Sequence, residues 1–445
     1  LGEHGERTHG FFIYDSTVLV PLFFHFPGRV PAGSSTLPVR LLDVAPTVLA
    51  LAGVKAGGVM DGVSVDGHLS GGRARPEPAY IETQQPWVSY GWAPLRAIRH
   101  GGLKLIEAPR PEMYDLQADP GETRNLLPAQ AARAHPLRRL LERAESLPAA
   151  SAASLDDPEA MERLRALGYV GGPAPSGAAP PGLRDPKDGT ALRDLLTQAD
   201  LLFRRRQWSG ALPPLERVLG QEKDNRFALH RAGVALTELG QLPRAVTLLE
   251  RLVRLDGRNP EARTALAEAL VRARRPAEAI PHRLEATRLQ PRRSDLWANL
   301  GSALGLAGRE REAAEALAQA VRLDPRDAAL LIRLGFAEHG AGRTADAVRR
   351  LLAAADLTGA AAFPHPAALG ILLAQAGRAE EARPWLGRAT RQEADYAEAR
   401  FQLARLEAAA GRSEAARAAL AQAIEAAPPL RARAASDPAL AALLR

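Results

Sequence analysis

The sequence predicts two fold classes in one chain: a partial α/β domain over residues 1–170 and an all-α solenoid over 191–445, joined through 171–190. Three observations carry this. Small residues recur with a fixed period through the second half. The first half instead holds short apolar runs separated by turn residues. Between Gly171 and Pro186, nine of sixteen residues are Gly or Pro, which leaves too little apolar surface to offset the entropy of ordering.

The period runs from Leu192 to Pro429. Ala199, Gly233, Ala267, Gly301, Gly335, Gly370 and Ala404 are spaced by 34 residues, with one interval of 35, and Ala211, Ala245, Ala279, Ala313, Ala347, Ala382 and Ala416 each follow by twelve. Small residues at fixed places let paired helices cross closely, so the pattern predicts seven stacked helix-turn-helix units and a C-terminal cap. The unit DLWANLGSALGLAGREREAAEALAQAVRLDP resembles the tetratricopeptide repeat, with Trp297, Leu300, Gly301, Gly308, Ala313, Ala320 and Pro325 at its marked positions. That resemblance implies a concave groove for a protein partner, lined by the first helix of each unit. His230, Glu268, Arg272, Phe336, His339, Phe401 and Arg405 are the candidate partner-binding residues. They are chemically mixed, and no Lys and Asn set for clamping a C-terminal carboxylate is recognisable.

The first half reads as mixed α/β. Val18 to Phe26, almost wholly apolar and ended by Pro27-Gly28, predicts a strand buried on both faces. Leu42, Ala45, Leu49 and Ala52 have helical spacing closed by Gly53. Ala79–Thr83, Leu95–Arg99 and Leu103–Ile106 predict short strands, the last two joined in a hairpin across His100-Gly101-Gly102. Helices follow over Pro136–Leu147 and, capped by Asp156 or Asp157, through Met161, Leu164 and Leu167.

Four stretches, LGEHGERTHGFFIYDSTVLVPL, LLDVAPTVLALAGV, DGVS and MYDLQADPGETRNL, together resemble the C-terminal half of a sulfatase, a branch of the alkaline-phosphatase-like hydrolases. The resemblance covers about residues 1–127 and implies hydrolysis of sulfate, or phosphate, esters. In that family the LGEHG stretch leads into a loop whose lysine touches the substrate anion, and counting places His9 there. A histidine can donate to a sulfuryl or phosphoryl oxygen or pass a proton to a leaving alkoxide. His9 and His4 are therefore the candidate catalytic residues. Where sulfatases often carry Arg before VPL this chain has Leu19, so Asp15 is expected to bond elsewhere. Asp43 and Asp61 match family positions, but the role expected of each is that of a cap or a turn. Asp115, Asp119, Glu122 and Asn125 are expected to tie one turn together.

The resemblance further implies that the nucleophile and the Asp-His ligands of a divalent metal, calcium or similar, lie upstream of Leu1. The chain is then expected to begin inside a domain, to bind no cofactor alone and to be inactive alone. With no cysteine it has neither disulfides nor thiolate metal sites. The net charge of +7 comes largely from arginines interleaved with Ala, Leu and Glu, so a solvated surface is the expectation and nucleic acid is not an expected partner. No apolar run reaches the roughly 18 residues of a membrane span. Two readings compete. One is a fragment of a hydrolase, secreted or membrane-tethered, carrying an interaction array; the other is a non-catalytic scaffold whose hydrolase half is a relic.

Overall fold

The computed structural model describes residues 3–6, 10–55, 57–73, 75–146, 182–392 and 397–444. They form two compact units, Leu1–Leu239 with Arg254–Asp256, and Gly240–Val253 with Gly257–Arg445.

The first unit is organised by an antiparallel sheet of order β1-β2-β3-β4: β1 (Ala79–Thr83), β2 (Leu95–His100), β3 (Leu103–Glu107) and β4 (Glu112–Asp115). The hairpin expected across His100-Gly101-Gly102 is present. His100 pairs with Leu103, and Gly101 and Gly102 take φ of 60° and 80°, the left-handed backbone a two-residue turn demands. Register places Ile98, Leu105 and Met113 side by side. Against this row packs the helix Ala134–Glu145 through Ala134, Leu137 and Leu141, forming one core with Leu127. The spacing that predicts a helix over 136–147 is thus its buried face.

Ahead of the sheet, Leu41–Asp43 and Val44–Ala52 make the expected helix, closed by Gly53 at φ 73°. The strand expected over Val18–Phe26 is corrected. Asp15–Val18 is one helical turn, and the chain beyond it is non-repetitive, with Leu19, Val20 and Phe23 exposed by 61%, 63% and 86%. A strand exists by pairing its backbone, and among the described residues this run has no ladder partner. The helix expected near Asp156 lies outside the described residues.

After residue 182 the same unit continues into a 3-10 turn, Pro186–Gly189, and three helices, Thr190–Arg204, Trp208–Gln221 and Arg226–Glu238. These pack on the sheet region at Trp92. Its ring is 2% exposed, its indole N–H donates to Glu222 at 2.9 Å, and a Cβ on Gly189 would lie 2.4 Å from it. Glu222 also pairs with Arg184, whose carbonyl accepts from Ala93 N–H at 2.9 Å. The buried Asp185 carboxylate accepts from Arg110 N–H at 3.0 Å. The compact unit therefore extends some distance past the Gly/Pro-rich stretch.

In the second unit, successive helices pack as antiparallel pairs: Pro260–Arg272 with Pro276–Leu289, Ser294–Leu306 with Glu310–Leu323, Ala328–Gly340 with Thr344–Thr358, Pro366–Gln375 with Ala379–Gln392, and Ala397–Ala409 with Ser413–Ala426. Leu430–Ala435 covers the end, and Ala434 and Leu440 join the last core. The small residues hold the phase as expected. A Cβ on Gly301, Gly335 or Gly370 would meet Leu317 at 2.6 Å, Leu351 at 3.0 Å or Leu386 at 2.8 Å, each sixteen residues on. First helices end in a left-handed residue, Gly308, Gly342, Gly377 and Gly411 in four repeats and Arg274 at φ 60° in another. The following N–H then bonds back to the helix, as Arg309 does to Leu304 and Arg275 to Leu270, both at 2.9 Å.

Candidate functional site

Of the segment 3–14, which carries the family-like histidines, residues 3–6 and 10–14 are described, and both pieces are fixed. Glu6, 1% exposed, accepts from the N–H groups of Phe11 at 3.0 Å and Phe12 at 2.7 Å, so a buried carboxylate ties the two ends together. Thr83 in β1 donates its hydroxyl to Gly10 C=O at 2.7 Å. Phe11, Phe12 and Ile13 are each 2% exposed and anchor the exit of the loop in the core. His9 lies outside the described residues. His4 is described: with φ 54° it stacks on Tyr14, ring centroids 3.7 Å apart, and its Nε2 is 3.0 Å from Gly121 C=O. Its imidazole is thus engaged with the turn that follows β4.

Beside the loop lies a buried charge cluster. Lys104, fully buried in β3, donates to Asp15 at 2.8 Å and lies 2.9 Å from Glu122. Arg99 stands directly across the ladder from Lys104 and pairs with the same Asp15 at 3.3 Å. Two cations opposite one another would repel, and Asp15 between them offsets this. The expectation that Asp15 bonds elsewhere in the absence of an arginine at position 19 is met by these two strand residues. Glu122, itself left-handed at φ 52°, also accepts the Asp15 backbone N–H. Tyr14 donates to Glu112 at 2.9 Å, and its burial, with Glu112 alongside, raises its pKa.

The turn after β4 is held as expected by Asp115, Asp119 and Asn125. Asp119 accepts from Thr123 and Arg124 N–H, both at 2.8 Å, and those bonds lower its pKa; Asn125 Oδ1 accepts from Met113 and Leu127 N–H at 3.0 Å. Glu122 departs from that group, because its carboxylate turns inward to Lys104. Asp43 and the DGVS stretch are joined structurally. The Asp43 carboxylate, which hydrogen bonds hold below its usual pKa despite burial, pairs with Arg40 at 2.7 Å and accepts Val63 N–H at 2.8 Å. A Cβ on Gly62 would come within 1.8 Å of Leu42 C=O, so only glycine lets these two stretches of chain approach. Asp61 is exposed.

Sequence reasoning missed Glu6, Trp92, Lys104 and Arg193. A lysine inside the apolar run LKLI was a legible signal, since an unpaired charge is not placed in a two-sided core. The others are identified only by partners that no spacing in the sequence points to.

The described residues do not fit a divalent metal: no group of three or more His, Asp or Glu is gathered among them, and Asp15, Glu6 and Glu122 are taken by Lys104, Arg99 and backbone N–H groups. No helix among the described residues is long and apolar enough to cross a membrane.

The candidate groove residues fall in different settings. His230, partly buried in its helix, has its pKa lowered to about 4 by burial, with Arg231 adding to the shift. Glu268 bonds Arg272 at 2.9 Å and the buried Arg283 at 3.1 Å. Phe336 is exposed and meets His365 edge-on at 5.2 Å, and His339 is exposed. Arg405 pairs with Asp437 at 2.8 Å. Phe401, by contrast, is 1% exposed beneath Arg433 at 4.4 Å and offers no side-chain surface to a partner; its position is core because the terminal cap closes over it.

Residues 2–146 match the family model of the N-sulphoglucosamine sulphohydrolase C-terminal region, and residues 196–260, 230–294, 294–327 and 397–429 match tetratricopeptide repeat models. The chain carries a sulfatase-type C-terminal region followed by tetratricopeptide repeats. Among curated relatives, an N-acetylglucosamine-6-O-sulfatase of Bacteroides thetaiotaomicron is 30% identical over 135 residues, covering 28% of this chain and 24% of its own length. A Delta 4,5-hexuronate-2-O-sulfatase of the same organism is 29% identical over 136 residues, 28% of each chain. The chain thus spans about a quarter of the length of the curated relatives it matches. Solved structures similar to it include MamA from Desulfovibrio magneticus RS-1, 23% identical over 37% of this chain and 94% of its own, and YrrB, a tetratricopeptide repeat protein, 21% identical over 41% and 90%, each with a TM-score of 0.36.

Proposed function

We propose that this chain is the C-terminal part of a hydrolase of sulfate esters, with phosphate esters as the alternative chemistry, and that its repeat array recruits a protein partner. The observation that carries the reading is that family-like stretches about a hundred residues apart converge on one place. His4 and Tyr14 from the first stretch meet Gly121 and Glu112, and Asp15 meets Lys104 and Glu122. Such ties hold a loop against a rigid sheet, which is the condition for orienting a group toward a reacting anion.

In this reading residues 1–170 belong to the hydrolase, 171–190 join it to the array, and 191–445 are the repeats. His9 takes the place of the anion-contacting lysine. His4, the other candidate, serves the loop through Tyr14 and Gly121. The nucleophile and a divalent metal such as calcium belong to the longer protein, in which the metal would polarise the ester oxygens. His230, Glu268, Arg272, Phe336, His339 and Arg405 are the surface positions at which a partner protein is sought. The test is the complete reading frame, assayed on aryl sulfate and aryl phosphate. His9→Ala is expected to lower the rate by a factor on the order of 10² to 10⁴ with the thermal midpoint nearly unchanged. Equal rates in variant and parent would remove His9 from the site, and hydrolysis of neither ester would sink the hydrolase reading.

A further inference from the structure

Gly5 and Phe11 are gripped from outside the sulfatase-type region. Arg193, in the helix Thr190–Arg204 that opens the repeat array, is 5% exposed. One guanidinium nitrogen donates to Gly5 C=O at 2.6 Å, and the guanidinium lies 4.9 Å over the Phe11 ring and 6.0 Å from that of Phe12. Nη1 is buried with no hydrogen-bond partner among the described residues. Thr190, one turn earlier, sits where a Cβ on Gly5 would touch its methyl at 3.6 Å. Arg193 thereby holds the entry of the loop at Gly5 and its exit at Phe11, the two ends that Glu6 also joins.

This placement is costly unless it serves something. A guanidinium withdrawn from water loses its hydration, and among the described residues no carboxylate pairs with it; one carbonyl bond and an aromatic face return only part. A leucine at this position would bury more cheaply. What leucine could not do is hold the Gly5 carbonyl and set a cation over the Phe11 ring together, which the guanidinium does.

We propose that Arg193 is a positioning residue of the ester-hydrolysing site: it ties Gly5 to Phe11 and Phe12, so that the first helix of the repeat array is a working part of the hydrolase. The proposal rests on the hydrolase reading given above.

The 445-residue chain supplies a first test that needs no catalysis. Amide hydrogen exchange is followed for residues 10–14 and, as reference, for strands 95–107, in the parent, Arg193→Lys and Arg193→Met. Arg193→Met is expected to speed exchange at Phe11 and Phe12 at least tenfold while the strands are unchanged. Arg193→Lys, which keeps a donor for Gly5 but not the flat face, should fall between, and it carries the comparison if the Met variant does not fold. Unchanged exchange at Phe11 and Phe12 in a folded variant overturns the proposal. In the complete enzyme, Arg193→Lys should raise KM for an aryl sulfate about tenfold with kcat within threefold, a split that general destabilisation would not give. An unchanged KM overturns the positioning role. A complete protein that hydrolyses neither ester sinks the hydrolase reading alone, leaving the exchange result to judge whether Arg193 holds the loop.

Discussion

The four-stranded sheet of the first unit and the helix pairs of the second bury their apolar faces by opposite routes. The sheet region is tied by partners far apart in sequence: His4 meets Gly121 across 117 positions and Lys104 meets Asp15 across 89. In the second unit the seams close within a repeat, Gly301 on Leu317 and Gly335 on Leu351. Long-range ties concentrate stability in single residues, whereas a nearest-neighbour stack spreads it along the chain. The same substitution chemistry should therefore be global in one region and local in the other.

The largest expected effect tests this on Lys104. Lys104→Met removes the cation between Asp15 and Glu122; Asp15 keeps Arg99, but the Glu122 carboxylate is left buried without a cation, which should cost about 3–5 kcal/mol. Chemical denaturation followed at the sheet should show its midpoint collapse, while exchange in the helices from 260 onward stays as in the parent. A loss shared equally by those helices would break the contrast.

A middle effect is expected at Gly301. A leucine there has to displace Leu317, whose Cγ would lie 2.6 Å from the new Cβ, and overpacking of this sort costs about 1–3 kcal/mol. Exchange should rise in helices 294–323 and their immediate neighbours, and fade further along the array. An unchanged unfolding midpoint would contradict the seam.

The smallest effect sharpens the comparison from the stabilising side. Arg274 occupies the left-handed position that glycine fills in other repeats, and Arg274→Gly should relieve strain worth about 0.5–1 kcal/mol after the entropy of a freer unfolded chain is counted. The thermal midpoint should rise. A fall would mean that Arg274 contributes contacts exceeding the strain it carries.

Much of the array is legible in the sequence because its information is local and repeated. Ala211, Ala279 and Ala347 are fully buried where a period of 34 places them. The hairpin at Gly101-Gly102 and the cap at Gly53 are equally legible, since each is fixed by a backbone conformation that glycine adopts at least cost. Val18 to Phe26 departs from its expected strand for a reason in the same physics. Apolar composition says that a segment seeks cover, but whether it becomes a strand depends on a partner, and the described residues provide none. Phe401 departs likewise: helix phase sets it with the groove, and the cap after Pro429 buries it.

The sequence by itself determined the class of each region, the phase of the repeats and the turn built on Asp115, Asp119 and Asn125, because short-range spacing sets all three. Tertiary structure decided which charges are shared and which part holds which. No spacing relates Lys104 to Asp15 and Glu122, Glu6 to Phe11 and Phe12 in a closed loop, or Arg193 to Gly5. Those pairings exist only once the sheet has set its register and the first helices have closed on Trp92, since a buried charge finds its partner by proximity in space.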